Sequence, residues 1–277
     1  MRKLLSANFS RLWKNKIFWL AMAFMSFGSL FFSYLTYTNS MKYSNNQIYV
    51  EDLLFNLLPM LSFVCVFFIS LYLGTEFDDK TIRNKIVVGH TRTHVFFAEY
   101  VTCMVASILL AAAMLLFSGV SGYVFFHEFL LDWKTLTYMV LCSILLAAVF
   151  SAMCVGIGMN IHSKASSVVA SLLFMFAILF LASYCGNALS AEPQTYSYVA
   201  VTVDGVQFGD LIDNPEYVSG FKRTVYQFIY DLLPTGQSIQ LNNMEFENAA
   251  RWPWLSAIML LISTFAGYIP FRKRDIR

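Results

Sequence analysis

Charge is scarce in this sequence. Asp, Glu, Lys and Arg make up 13% of its 277 residues, about half the share of an ordinary soluble domain. Apolar residues reach 58%, and Phe alone occurs 27 times. No single soluble core hides that much hydrocarbon, so lipid is the expected solvent for most of the chain. The five Cys (Cys65, Cys103, Cys142, Cys154 and Cys185) all fall in apolar runs with no CxxC spacing. That excludes a disulfide framework and a zinc ribbon. There is no GxxxxGK[ST] phosphate loop, which excludes ATP binding of the P-loop kind. With a net charge of only +2, no nucleic-acid partner is expected.

What is present is length of apolar run. A helix needs about 20 apolar residues to cross a bilayer core. Six stretches qualify, with spans expected at about 17–38, 53–75, 96–125, 135–160, 165–190 and 252–271. Each must be helical, because lipid offers no partner to a free N–H or C=O. The first run follows basic residues, as in a signal peptide, but it is too long and lacks a small-residue cleavage site, so it reads as a retained span. Pro59 is expected to kink the second span. In the fourth span, Ser143, Ala147 and Ser151 form one row of small residues and Ala148, Ala152 and Gly156 the next, a spacing that lets helix backbones approach closely.

Lys and Arg set the orientation. Fourteen fall in residues 1–16, 80–92, at Lys164 and in the 272–277 tail; five (Lys42, Lys134, Lys222, Arg223 and Arg251) lie on the other side. Both termini are therefore expected in the cytoplasm. Residues 1–16 suit an amphipathic interfacial helix, with Leu5, Phe9, Leu12 and Trp13 on one face. Residues 191–251 form the only sizeable extracellular segment. It opens with β-branched and aromatic residues around Asp204-Gly205, a hairpin signal. A helix is expected next, capped by Asn214, with Pro215 and Glu216 in its first turn and Pro234 as its stop. Eight acids against three bases between Glu192 and Arg251 would draw a cationic ligand.

One charged stretch interrupts the hydrocarbon: GTEFDDKTIRNKIVVGHTRTH, residues 74–94. A short helix is expected over 78–88, with Asp78 as cap, Asp79 beside it at the positive end of the dipole, Arg83 and Lys85 further along, and Gly89 as stop. Ile82 and Ile86 form its apolar edge. A helix so short is marginal in water and needs something to dock on.

Glu76, Thr81, Arg83 and Arg92 stand in the order seen in the first cytoplasmic loop of type-2 permease subunits of ATP-binding-cassette exporters, and the stretch resembles that loop. The chain departs from the pattern at Lys80, where a Gly is usual, and at Glu99, where a Lys is common. The resemblance extends to six spans, a basic amphipathic start, an Asp231-Leu-Leu-Pro234 segment before the last span and a FRKRDI-like ending. It implies an all-α polytopic membrane protein of the cell membrane, bacterial, whose loop between spans 2 and 3 is a coupling helix seated on a separate ATPase subunit. The coupling residues would be Glu76, Asp78, Asp79, Thr81, Ile82, Arg83, Lys85, Ile86 and Arg92. ATP and Mg would be bound by that partner and no cofactor by this chain. A second permease subunit, identical or homologous, would complete the path. The cargo would be amphipathic or lipophilic, such as a peptide antibiotic, as in bacteriocin immunity, or a drug.

Other chemistry is weaker. Gly119-Val120-Ser121-Gly122 resembles the GxSG of rhomboid-type intramembrane proteases, but no His lies within a span to act as base. His127-Glu128 lacks the second His of HExxH, and His90 with His94 lacks a third ligand. A non-transporting anchor or sensor is the remaining alternative. Glu99, a few residues into span 3, is an ionisable membrane residue and so a functional candidate; a cytoplasmic-interface salt bridge with Arg92 or with a partner is the simpler expectation.

Overall fold

The computed structural model describes residues 1–43, 48–161, 163–197, 199–202, 205–246 and 248–273. His162, Asp204 and residues 274–277 of the basic tail lie outside the described residues.

The amphipathic start is α1 (Arg2–Lys14). Span 1 is α2 (Lys16–Tyr43). Span 2 comes in two pieces, α3 (Val50–Leu54) and α4 (Leu58–Asp78). Pro59 therefore does not kink a continuous helix; it sits in the first turn of α4, where its missing N–H has no bond to lose. The charged stretch forms α5 (Thr81–Val87), and span 3 is α6 (Arg92–Phe126). Spans 4 and 5 are α7 (Trp133–Gly158) and α8 (Lys164–Ser190). After two small antiparallel pairs come α9 (Gly220–Leu232), α10 (Pro234–Asn242) and span 6, α11 (Trp252–Lys273). Six helical stretches are long and apolar enough to cross a membrane.

α7 lies at the centre of the bundle, packed against α4, α6 and α11. Its small residues make this contact: Ser143, Ala147, Ser151 and Ala152 are all but fully buried. The closest approach is Gly156 on Gly267 of α11, where a Cβ on Gly267 would stand 2.4 Å from the Gly156 Cα. Asn160 Nδ2 donates to the carbonyls of both glycines at 2.8 Å. Asp132 caps α7, its carboxylate accepting from Lys134 N, Thr135 N and the Thr135 hydroxyl. That hydroxyl holds the Asp132 carboxyl below the usual carboxylate range.

One end of the bundle gathers α1, α5, the α7–α8 turn and the end of α11. Arg11 pairs with Glu76, the Gly74 backbone abuts Lys164, and Arg92 donates to the Arg272 carbonyl at 3.2 Å. Both terminal helices thus reach the same side of the bundle as α5.

At the opposite end, paired strands stand on either side of Asp204-Gly205, as the hairpin signal predicts. Residues 194–213 form two strand pairs: β1 (Gln194–Tyr196) with β4 (Leu211–Asp213), and β2 (Val199–Thr202) with β3 (Gly205–Phe208). Asn214 does not start a helix. Its side chain accepts from Glu216 N and donates to the Glu192 carbonyl, closing the β1–β4 loop. The helix begins instead at Gly220, whose φ of +61° suits glycine. Pro234 ends α9 as expected, but it also starts α10, a nine-residue helix no periodicity announced. α10 is buried from Pro234 through Ser238 and again at Gln240 and Leu241. The Thr235 hydroxyl donates to the Ile178 carbonyl, near the midpoint of α8. The α9–α10 hairpin thus dips deep into the bundle and returns.

Polar backbone at that depth needs internal partners. Gln237 Nε2 donates to the Asp231 carbonyl at 2.7 Å, and Gln240 Nε2 reaches the Tyr230 carbonyl at 3.4 Å. These are carbonyls from the last turn of α9, which a helix end leaves without partners. Ser256 on α11 donates to Gln237 Oε1 at 2.7 Å. Gly236 admits the fold, since a Cβ there would stand 2.1 Å from the Tyr230 carbonyl oxygen.

Candidate functional site: a buried ion network joining four helices

α4 runs past its apolar stretch to Asp78, so Asp78 ends a span rather than capping the short helix. Lys80, at φ +56°, turns the chain. α5 then folds back, ending at Val87 before Gly89 at φ +102°. The helix expected over 78–88 is therefore shorter, because the left-handed residue separates it from α4.

Ile82 is fully buried and Ile86 partly, both against the bundle core. On the same side, the Lys85 ammonium lies 2.6 Å from Glu99 Oε1, 2.9 Å from Glu76 Oε2 and 3.0 Å from Asn8 Oδ1. Its three N–H donors meet side chains from α1, α4 and α6, with Glu76 Oε1 a fourth acceptor at 3.1 Å. Asn8 Nδ2 donates to Glu99 Oε1 at 2.9 Å. Arg11 pairs with Glu76 and lies 4.3 Å over the Tyr72 ring, while the Tyr72 hydroxyl donates to the Asn8 carbonyl. Thr81 closes the set, its hydroxyl contacting the Glu76 carboxylate and carbonyl. The Glu76 and Glu99 side chains are wholly or almost wholly buried.

Two carboxylates and two cations balance here. Removing charges from water costs several kcal/mol per ion unless geometry and hydrogen bonds compensate. This network supplies most of that compensation, leaving Glu99 Oε2 and Arg11 Nη2 without hydrogen-bond partners, and only while α1, α4, α5 and α6 keep their present positions. It is therefore a mechanical joint: α5 cannot shift without breaking contacts to three other helices. The other face of α5 is free. Arg83, Asn84, Val87 and Val88 are exposed, the two valines at 77% and 79%.

The expected Glu99–Arg92 pair is not formed. Lys85 takes Glu99, and Arg92 is drawn to the Arg272 carbonyl at the end of α11. Asp78 and Asp79 are exposed beside the turn. Asn8, Arg11 and Tyr72 belong to the site without having been singled out as candidates. Asn8 has a readable signal, since it interrupts the buried α1 stripe Leu4–Asn8–Leu12 at helical spacing. Of the expected Leu5, Phe9, Leu12 and Trp13 face, Leu12 is fully buried and Leu5 and Phe9 pack partly buried against the core, while Trp13 is 50% exposed.

The other candidates resolve into packing. The Ser121 hydroxyl is 2.8 Å from both Ser33 Oγ and the Phe117 carbonyl. Gly122 lets Val50 of α3 approach, a Cβ there meeting it at 3.0 Å. His90 lies before the Thr91 cap and His94 within the first turn of α6, so they share no helical face.

A bundle of six helices long and apolar enough to cross a membrane marks a polytopic membrane protein. The chain belongs to the ABC-2 family of transporter proteins, whose family model matches residues 4–183. It is accordingly a membrane permease component of an ABC transporter. The match covers the ion network and spans 1 to 4 and ends inside α8; the α9–α10 hairpin and α11 lie beyond it. No match was found among curated proteins.

Proposed function

We propose that this chain is the subunit through which a separate ATP-binding-cassette ATPase drives export of an amphipathic or lipophilic cargo, with α5 as the coupling helix. The observation that carries this reading is the two-sidedness of α5. One face is locked by Lys85 and Ile82 into the ion network and core; the other presents Arg83, Asn84, Val87 and Val88 outward. A push on the exposed edge is transmitted to α1, α4 and α6, because the buried charges do not tolerate separation.

In this reading α5 and both termini are cytoplasmic, in keeping with fourteen Lys and Arg on that side against five on the other. ATP and Mg belong to the ATPase. The broad exposed faces of α2, α8 and α11, carrying residues such as Phe27, Phe180 and Phe265, meet lipid and a second permease copy or homologue. An apolar, aromatic interior suits a peptide antibiotic or drug as cargo.

The test is reconstitution with the ATPase that co-purifies from native membranes. Changing Val87 and Val88 to Asp should abolish association and stimulated ATP turnover while membrane insertion is unchanged. Turnover unaffected by that double variant, or labelling that places residue 83 outside the cell, refutes the coupling role.

A further inference from the structure

At the far end of the bundle from α5, a cavity of about 450 Å³ lies between α8, α9, α10 and the turn that follows α10, a volume within the range of small-molecule sites. Its wall is more polar than apolar, and amides and hydroxyls build it: Ser183 and Asn187 of α8, Gln227 and Tyr230 of α9, Gln240 of α10 and Asn243 beyond it. Ser183 and Asn187 stand four residues apart, so they share one face of α8. Gly186 beside them admits the Tyr230 side chain; a Cβ there would stand 3.0 Å from the ring carbon Cζ and 3.1 Å from the hydroxyl oxygen. Tyr230 is 4% exposed. Its hydroxyl has no hydrogen-bond partner among the described residues, and neither do the Ser183 hydroxyl and the Asn187 side-chain amide. Serines elsewhere in the spans, such as Ser29 and Ser143, bond back to their own helix; Ser183 does not. Burial first, and then the charges of Glu245 and Asp231, raise the pKa of the Tyr230 hydroxyl, so it keeps its proton and offers a donor. Polar groups left unpaired in so closed a place are costly, and three of them on one cavity wall call for a polar guest.

We infer that this cavity binds a neutral sugar, a hexosyl group held through its hydroxyls. The ligand class follows from the wall. Hydroxyls and amides both donate and accept hydrogen bonds, and a sugar hydroxyl does the same. The ionic groups of the cavity, Arg223 and Glu245, have opposite signs, and each is engaged. Arg223 Nη2 donates to the Leu189 carbonyl at 3.0 Å, and Glu245 Oε1 accepts from Asn243 Nδ2 at 3.2 Å. The cavity therefore selects neither anions nor cations, and a charged guest loses water without gaining a free counter-charge. Tyr230 and Phe246 add flat carbon surface, which suits the C–H face of a sugar ring. The hexosyl group can arrive as a free saccharide or as the head group of a glycolipid; the recognition chemistry is the same. The inference is independent of the coupling role of α5, since every residue it uses lies at the other end of the bundle.

The test uses the purified full chain, extracted in a detergent without a sugar head group and placed in phosphatidylcholine nanodiscs without any ATPase. Methyl β-glucoside, methyl β-glucuronide and methyl β-glucosaminide are titrated separately and followed by saturation-transfer NMR, with empty nanodiscs subtracted. The neutral glucoside should bind saturably and roughly tenfold more tightly than either charged analogue. Tyr230→Phe keeps the ring and deletes a hydroxyl that no protein group uses, so it should weaken glucoside binding by roughly fivefold to tenfold without lowering Tm. Asn187→Ala, at an exposed position, should do the same. In nanodiscs that also carry glucosyl diacylglycerol, loss of the glucoside signal would identify the lipid-borne head group as the preferred form, and an unchanged signal the free saccharide; both outcomes support the site. Absence of saturable glucoside binding, charged analogues that bind as tightly, or affinity untouched by both variants would overturn the assignment. Since no ATPase is present, failure here leaves the coupling role of α5 standing, and failure of α5 to bind an ATPase leaves this site standing.

Discussion

Lys85→Met is the sharpest probe of the ion network. It keeps the helical stem and the packing of a long side chain while deleting the one cation that bridges Glu76 and Glu99. Arg11 remains for Glu76, but Glu99 keeps only Asn8. Removing one partner of a buried pair costs roughly 3–5 kcal/mol. The Lys85 side chain is 16% exposed, so water reaches the site and the lower end of that range applies, about 3 kcal/mol. In a chain of this size 1 kcal/mol moves Tm by about 2–4 °C, so a drop of about 6–12 °C is expected. The companion is Glu99→Gln, which retains the hydrogen bond to Asn8 and deletes the second negative charge. In the double variant the uncompensated carboxylate is gone, so the loss should be smaller than the sum of the two single losses by about 1–3 kcal/mol. Thermal unfolding of the four proteins in one detergent, followed by tryptophan fluorescence, measures the cycle. A Lys85→Met protein within 1 °C of the parent (on the order of the noise for exposed substitutions), or strictly additive losses, would refute the claim that these charges hold α5 to α1 and α6.

Three further outcomes follow from other parts of the molecule. Gly267→Ala places a Cβ 2.4 Å from the Gly156 Cα; backbone on both sides must move, so a loss of about 1–3 kcal/mol is expected by thermal unfolding, whereas Gly89→Ala, with nothing within 4 Å, should show only the smaller cost of its positive φ. Burial raises the Asp231 carboxyl above its ordinary value, opposed by hydrogen bonds from the neutral Gln227 and Gln240 and by the charge of Arg251. Its native form therefore holds the proton more firmly than the unfolded chain does, so the stability it contributes is full below the unfolded value of 3.8 and is lost as pH rises through the folded one. Asp231→Asn should flatten that acid-range decline in a series of melts. The depressed Asp132 carboxyl has the opposite sign, since the stability it adds to the start of α7 is present above its unfolded value and lost as pH falls through its folded one; Asp132→Asn should make the acid-range melts less steep from that source.

The spans are legible in the sequence because lipid leaves one solution to each long apolar run. The small-residue rows of span 4 are legible for a similar reason, since a central helix needs close neighbours on several sides. The exposed and buried faces of α5 are half legible. Ile82 and Ile86 mark an inward edge, but the inward turn of Lys85 depends on acceptors from three other helices, the nearest nine residues away and the farthest 77. Charge count alone assigns Lys85 to the solvated face and Glu99 to Arg92. What reverses both is that α6 begins at Arg92 and extends to Phe126, longer than a bilayer requires, which brings Glu99 beneath α5 and leaves Arg92 beyond it.

α10 is the larger omission, and its cause is instructive. A nine-residue helix carrying Thr235, Gln237, Ser238 and Gln240 reads as a polar loop by any one-element criterion. Yet these polar side chains are what allow it to enter the bundle, because each meets a backbone carbonyl or a side-chain partner there. Apolar residues at the same places would leave the last carbonyls of α9 unpaired at membrane depth. Asn8 obeys the same rule at the opposite end, as the polar residue of a buried stripe whose partners are Lys85 and Glu99. In a chain with so little charge, a polar residue that breaks a local pattern therefore marks a contact between elements.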